Sequence, residues 1–492
     1  MVKLTGHAQM ALPGDEIGKM PVGGMNMYLL RTLLLASVVV PLAAAVPAHG
    51  MSLKEALATA YATNPQIQAA RANARATDEE VAKANAGWRP SLSISGSEGF
   101  QHIITDQPIH SDEDRTLTSG TATLTEPLFR GGRTVADVRR AKALVRAAQA
   151  QLTNAEQSVL LEAVTAYVDV VRDSSTLEYR RSNVQVLEDQ LNATTIQLNA
   201  GAVTQTDVQQ TQARLALARA GLSVAEGQLA TSRAKFERVI GRPAESLETM
   251  PQLPNLPGNM EDAINRAVTA SPALVAAQEN SRAADYAVDA AVSSLMPQVS
   301  LQLQYQYAKN STIIGVVSPG VTQRDASAFV QVTVPLYQGG AEYAGIRQAK
   351  EQRSQSLANV ADIDRQVRES TQAAWGTFMA AQASIASNEL AVQANQAAVM
   401  GVIQEQRAGE RQILDILNAQ QELLGGQINL AASQHDATVA AYQLLAATGQ
   451  LTARSQVLDV PLYDPAVHYN ESASKWIGVG TDSSDSTGYI LP

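Results

Sequence analysis

Pro127-Leu128-Phe129-Arg130-Gly131-Gly132 and Pro335-Leu336-Tyr337-Gln338-Gly339-Gly340 are one hexapeptide pattern written twice, 208 positions apart. The same spacing carries Arg139-Arg140-Ala141-Lys142 onto Arg347-Gln348-Ala349-Lys350. It also carries Ala200-Gly201 and Asp207 onto Ala408-Gly409 and Asp415, and Gly241 onto Gly449. Upstream, ALATAYATNP at 56–65 answers AINRAVTASP at 263–272 with a spacing one residue shorter. One inserted residue in a repeat this long marks an internal duplication, and self-similarity decides architecture before any other feature.

Each copy contains the same parts in the same order. A helical stretch (53–86 or 260–295) leads into two strands, then into a much longer helical stretch (134–199 or 341–408). A glycine turn ends the long helix, and a shorter helix follows at 206–240 or 413–448. In the first long stretch apolar residues fall at Leu160, Val164, Tyr167 and Val171, then at Val184, Leu187, Leu191 and Leu198. Gaps of three, four and seven are those of a coiled-coil seam. At 1.5 Å per residue a helix of ~65 residues is ~100 Å long, several times the width of an ordinary domain.

The strands have a different period. Val299, Leu301, Leu303, Tyr305 and Tyr307 alternate with Gln and Ser, and Ala328, Val330, Val332 and Val334 alternate with Phe329, Gln331 and Thr333. The first copy is weaker, with Leu92 and Ile94, then Ala122 and Leu124, set between Ser and Thr. Alternation over segments of ~10 residues, apolar outside and polar within, marks strands of a membrane barrel.

Composition narrows the function classes. The 492 residues carry a formal net charge of −10, which opposes an electrostatic partnership with nucleic acid. With 0 cysteines there are no disulfides, thiolate metal sites, thiol nucleophiles or lipid-bearing thiols. Arg31 precedes an apolar run over 32–45, and small residues follow to Ala48. This is the order of a secretory signal peptide cleaved after Ala48, and the run is shorter than the ~20 residues of a membrane helix. Asp15 and Glu16 do not suit a signal's basic start, so translation is expected to begin at Met25 or Met27. The expected divisions are an extension with signal at 1–48, repeats at 49–250 and 251–455, and a periplasmic tail at 456–492, polar and disordered beyond about Lys475.

Helix lengths suggest a topology. The helix from Thr206 climbs only half the length of its long neighbour, to a break at Pro243, Pro251, Pro254 and Pro257. The helix from Met260 is expected to continue that climb, and the carboxy-terminal helix to stack under the amino-terminal one. Four strands cannot close a membrane barrel, whose smallest examples have about 8, so the chain must oligomerise.

Duplication, hairpins set within long helices and paired glycine turns together resemble the TolC family of outer-membrane efflux and secretion channels, over about Ser52 to Asp459. The resemblance implies a homotrimer, with four strands per chain forming a 12-strand barrel over a coiled-coil periplasmic tunnel. It implies a passive outer-membrane exit duct working with a periplasmic adaptor and an inner-membrane ABC or proton-driven transporter. Its cargo would be proteins, as in type I secretion, or small toxic compounds. The segment Pro461-Leu462-Tyr463-Asp464-Pro465 is similar to the type I secretion version.

The family's periplasmic gate maps onto the tip turns. Asp415 takes a ring-aspartate position, with Asn418 where a second aspartate is expected, so the cation-favouring field is weaker than that of a double ring. Arg411 matches the constraining arginine, Asp207 its partner, and Gln406 replaces a tyrosine. The turns at Gly201 and Gly409 are the expected adaptor-docking surface.

The residues point to no enzyme, cofactor or metal. His102, His110, Asp112, Glu113 and Asp114 read as a solvated loop that could hold a cation only weakly, and His435-Asp436 has no nucleophile at a useful spacing. Gly131-Gly132 and Gly339-Gly340 lack the lysine of a phosphate loop. A soluble or peripheral coiled-coil scaffold is the alternative, but it leaves the alternating strands without a role.

Overall fold

The structure is a computed structural model describing residues 50–105, 111–312 and 321–481. The signal segment, its cleavage site, His110 and the end of the polar tail lie outside the described residues. The helices are α1 (Leu53–Thr63), α2 (Pro65–Asn85), α3 (Arg133–Asn199), α4 (Gln205–Ile240), α5 (Met260–Ala270), α6 (Pro272–Val292), α7 (Ala341–Arg407), α8 (Ile413–Ala447) and α9 (Pro465–Ser472). The strands are β1 (Ser91–Thr105), β2 (Ser111–Arg130), β3 (Gln298–Thr312) and β4 (Val321–Thr333). No described helix is long and apolar enough to cross a membrane.

The four strands form one antiparallel sheet in the order β1-β2-β3-β4. Their register aligns Leu92 with Leu124, Leu303 and Ala328, and Ile94 with Ala122, Tyr305 and Ala326. One face is thus an apolar row across the whole sheet, and a one-residue slip would break it. The strands run to 15, 20, 15 and 13 residues, longer than the alternating segments. Backbone pairing needs only a neighbour, so it continues past the point where alternation ends. At the foot of β2 the pairing shifts between Pro127 and Phe129, because proline has no N–H for the ladder. Gly131-Gly132 and Gly339-Gly340, with φ of 62, 88, 76 and 86°, then turn strand into helix.

Both long helices have 67 residues, so each is ~100 Å long. The stretches before the strands are each split by a proline. Asn64 and Ser271, which precede Pro65 and Pro272, are extended (ψ 125 and 119°), and each divides a short helix from a longer one.

The expected stacking of the half-length helices is corrected by the joints. α4 ends against the α1–α2 corner, where Asn64 Nδ2 donates to the Val239 carbonyl at 2.9 Å and Thr63 Oγ1 to that of Ile240 at 3.2 Å. α8 ends against the α5–α6 corner, where a Cβ on Gly449 would lie 2.5 Å from the Ala270 carbonyl oxygen. Each column therefore joins helices of one repeat, α2 on α4 and α6 on α8. The proline-bearing segment 241–259 is no in-line joint. Extended at up to ~3.5 Å per residue, it is long enough to cross between columns, and Leu247, Met250 and Leu256 pack on the core as it passes.

That core lies at the joints, around Tyr167, Phe236, Leu160, Val164, Ile240 and Ile67. α3 packs on both columns and buries residues along most of its length. α7 packs on α5, α6 and α8, and of its own residues buries only Ala349, Val367, Thr371, Ala374, Phe378 and Ala381. Asn64 both caps α2, accepting from the Gln66 N–H at 2.8 Å, and ties it to α4. Asn64→Ala should cost about 1–2 kcal/mol and speed amide exchange at the start of α2 and the end of α4 together. Faster exchange at α2 alone would show that the joint does not depend on this side chain.

Candidate functional site at the helical tip

The chain reverses at two tips. α3 ends at Gly201 (φ 76°), whose N–H donates to the Leu198 carbonyl while that of Ala202 donates to Gln197, both at 2.9 Å. α7 ends likewise at Gly409 (φ 83°), with N–H donation from Gly409 to Gln406 at 3.0 Å and from Glu410 to Glu405 at 2.9 Å. These are paired Schellman closures, and glycine adopts the left-handed turn at little cost. A Cβ at either glycine would meet nothing within 4 Å, so both turns are presented outward.

The two aspartates assigned to the gate perform the same structural task. Asp207 Oδ2 accepts from the Thr204 N–H at 2.8 Å, and Asp415 Oδ2 accepts from the Gln412 N–H at 3.1 Å. Each is the third residue of its helix, where a carboxylate satisfies a free N–H and faces the positive end of the helix dipole. The spacing Thr204-x-x-Asp207 is a capping-box signal already present in the sequence.

The expected Arg411–Asp207 link is not made within the chain. Arg411 Nε instead pairs with Glu405 Oε2 at 2.9 Å, six residues back on its own tip. The physical reason is local: Asp207 Oδ2 is held by its own helix start, and Glu405 lies across the Gly409 turn from Arg411. Both members of the Arg411–Glu405 pair are about half exposed, so the pair stabilises by roughly 0–1 kcal/mol. Gln406, at the end of α7, contributes its carbonyl to the turn; its carboxamide makes no hydrogen bond among the described residues.

The polar contact between coils comes from a residue the sequence reading passed over. Arg214 on α4 donates from a terminal guanidinium nitrogen to Asn418 Oδ1 on α8 at 3.0 Å. Beneath it Ile413 and Leu417 of α8 pack with Val184, Leu187 and Leu215. Asn418 is thus a fixed acceptor between helices. Nothing in local sequence distinguished Arg214 from the other arginines of α4, since its partner is 204 residues away.

Farther from the tip, His435 of α8 joins three helices. Its Nε2 lies 2.9 Å from Asp169 Oδ1 on α3 and its Nδ1 2.8 Å from Asp436 Oδ1. Lys235 of α4 donates to Asp169 Oδ2 at 2.9 Å, and Arg172 contacts both Asp169 and Asp173. Burial alone would raise the Asp169 pKa, but hydrogen bonds from His435 and Lys235 outweigh it and hold it at about 2, below the ordinary 3.8. A depressed carboxylate stabilises the fold fully above its unfolded pKa and stops doing so as pH falls through the folded value. Asp169 should therefore contribute about 2 kcal/mol at neutral pH. Asp169→Asn should lower the denaturation midpoint at pH 7 and flatten its fall between about pH 4 and pH 2; an unchanged acid profile would contradict this assignment.

Comparison with known proteins agrees with this architecture. The family model described as Outer membrane efflux protein matches twice, over residues 56–242 and 263–450, once per repeat. The outer membrane efflux protein BepC of Brucella suis is 35% identical over 431 residues, 87% of this chain and 92% of that protein. The alkaline protease secretion protein AprF of Pseudomonas aeruginosa is 25% identical over 402 residues, covering 79% and 82%. Among solved structures, the Campylobacter jejuni CmeC outer membrane channel superposes with a TM-score of 0.72 at 14% identity, covering 86% of this chain and 89% of that one. The outer membrane protein VceC of Vibrio cholerae superposes with a TM-score of 0.69 at 20% identity, covering 81% and 96%. The family model covers both repeats and the Brucella relative most of the chain, and the chain belongs to the outer membrane efflux protein family.

Proposed function

We propose that three copies of this chain close into a passive exit duct across the outer membrane, with its entrance at the tips formed by Gly201 and Gly409. The observation that carries this is the four-stranded sheet with two free edges, β1 and β4. An apolar row crosses the sheet, and lipid does not tolerate unpaired backbone. Adding the next chain's β1 to β4 satisfies both edges, and a head-to-tail contact repeated about an axis closes a ring. The sparsely buried α7, with Leu357, Met379, Leu390 and Met400 exposed, offers the matching helical surface. A soluble scaffold would leave the apolar row without a partner.

At the entrance, Asp415 uses Oδ2 for its helix start and keeps Oδ1 for the lumen, so a ring of such groups favours cations. Arg214–Asn418 holds α8 against α4 within each chain. Arg411, in a weak pair with Glu405, is free to exchange onto the open Oδ1 of Asp207 in the adjacent chain. Opening requires these links to give way. The tip turns dock a periplasmic adaptor, and an inner-membrane transporter supplies the energy. Relatives are named for efflux and for protease secretion, so the cargo class lies between small toxic compounds and secreted polypeptide.

Light scattering of detergent-extracted protein should give three times the chain mass, and a stable monomer would sink the barrel. In planar bilayers Arg214→Ala should raise resting conductance several-fold, and Asp415→Asn should reduce cation preference. Variants that conduct like the parent would remove these residues from the gate.

A further inference from the structure

The segment after α8 does more than end the chain. α9 climbs alongside α2, parallel to it and toward the sheet. His468 Nδ1 lies 2.9 Å from Asp78 Oδ2, Asn85 Nδ2 donates to the Ala473 carbonyl at 3.1 Å, and Arg89 donates to the Lys475 carbonyl at 2.6 Å. Tyr469 and Ala473 pack on Val81, Ala141 and Val145. The ascending pairs 468 with 78, 473 with 85 and 475 with 89 deliver Trp476 to the level at which β1 begins, at Ser91. There the Arg89 guanidinium lies over the Trp476 ring, 4.6 Å from its centroid.

The apolar side chains held at this height are uncovered. Trp476 is 68% exposed, Ile477 95% and Val479 fully exposed. The segment leading to them is held by the hydrogen bonds at His468, Ala473 and Lys475, and Trp476 itself by the cation–π contact. The rim of the sheet carries further exposed large residues, Trp88, Leu128, Phe129 and Tyr337, where each strand pair meets its helices. Trp and Tyr with a neighbouring Arg suit the boundary between headgroups and acyl chains, where an apolar ring and a polar edge are both satisfied. With 0 cysteines, the chain has no thiol to carry a thioether-linked lipid.

We propose that Trp476-Ile477-Gly478-Val479 is an interfacial anchor that inserts into the periplasmic leaflet of the outer membrane, with Trp476 held at headgroup depth by Arg89. This rests on the sheet lying in that membrane. The anchor adds a ring of lipid contacts below the strands, and α9 ties that ring to α2 and so to the helical columns.

The 3 tryptophans, Trp88, Trp375 and Trp476, make the test direct. The assembled W88F/W375F protein, retaining Trp476 alone, is reconstituted in phospholipid vesicles with bromines near the headgroups or near the bilayer centre. Trp476 emission should be quenched severalfold more by the shallow bromines than by the deep ones. A reference protein, W88F/W375F/W476F/I94W, reports the membrane face of β1 and should be quenched by acyl-chain bromines. Quenching of the reference without quenching of Trp476 overturns the anchor and assigns Trp476 to water or a neighbouring subunit. If neither is quenched, the membrane reading of the sheet fails, and the anchor with it.

Discussion

An unpaired strand edge in hydrocarbon is the constraint on which the rest of this molecule depends. Backbone N–H and C=O groups without partners each cost several kcal/mol where no water can reach them. This sheet ends in two such rows, β1 and β4. The chain is therefore incomplete alone. Its remaining architecture, from the apolar row to the thinly buried α7, is legible as preparation for contact with further copies of itself.

Below the sheet the problem is one of length. Two continuous helices of 67 residues are matched by columns made of two pieces, and each column needs a joint that satisfies its frayed backbone. Asn64 answers this with a side chain that caps one helix while donating to the end of another. The Asp169–His435–Lys235 cluster lies about one turn away on α4 and joins α3, α4 and α8 at one point. Hydrophobic packing fills the rest of the length, and polar contacts between helices, Arg219–Glu188 and Arg146–Glu279 among them, fix the register along it.

Much of this was readable from residues alone, because the signals were local and repeated. Helix limits at Asn199, Ile240 and Arg407 were placed to within a residue by glycine turns and apolar spacing, and the duplication supplied each one twice. The column partners were not readable. The sequence shows where α4 stops, but its neighbour was set by a crossing over 241–259, and proline spelled a break without giving its direction. Arg411 and Asp207 are both at the tip, yet within one chain each meets a nearer partner, Glu405 and the Thr204 N–H. Capping by Asp207 is a local signal, readable in the spacing Thr204-x-x-Asp207. Arg214 and Asn418 lie too far apart in sequence for any periodicity to have paired them.

The uneven burial of the two long helices also bears on inheritance. α3 is enclosed by its own chain, so a damaging substitution there prevents the protomer from folding, and the loss is confined to that copy. α7 meets little of its own chain along one side, so a comparable change leaves a protomer that still folds and reaches the membrane. Such a chain enters rings with normal ones, and one defective seam spoils the whole ring. Where two alleles are expressed together, lesions on α3 should behave as recessive and those on the outer face of α7 as dominant.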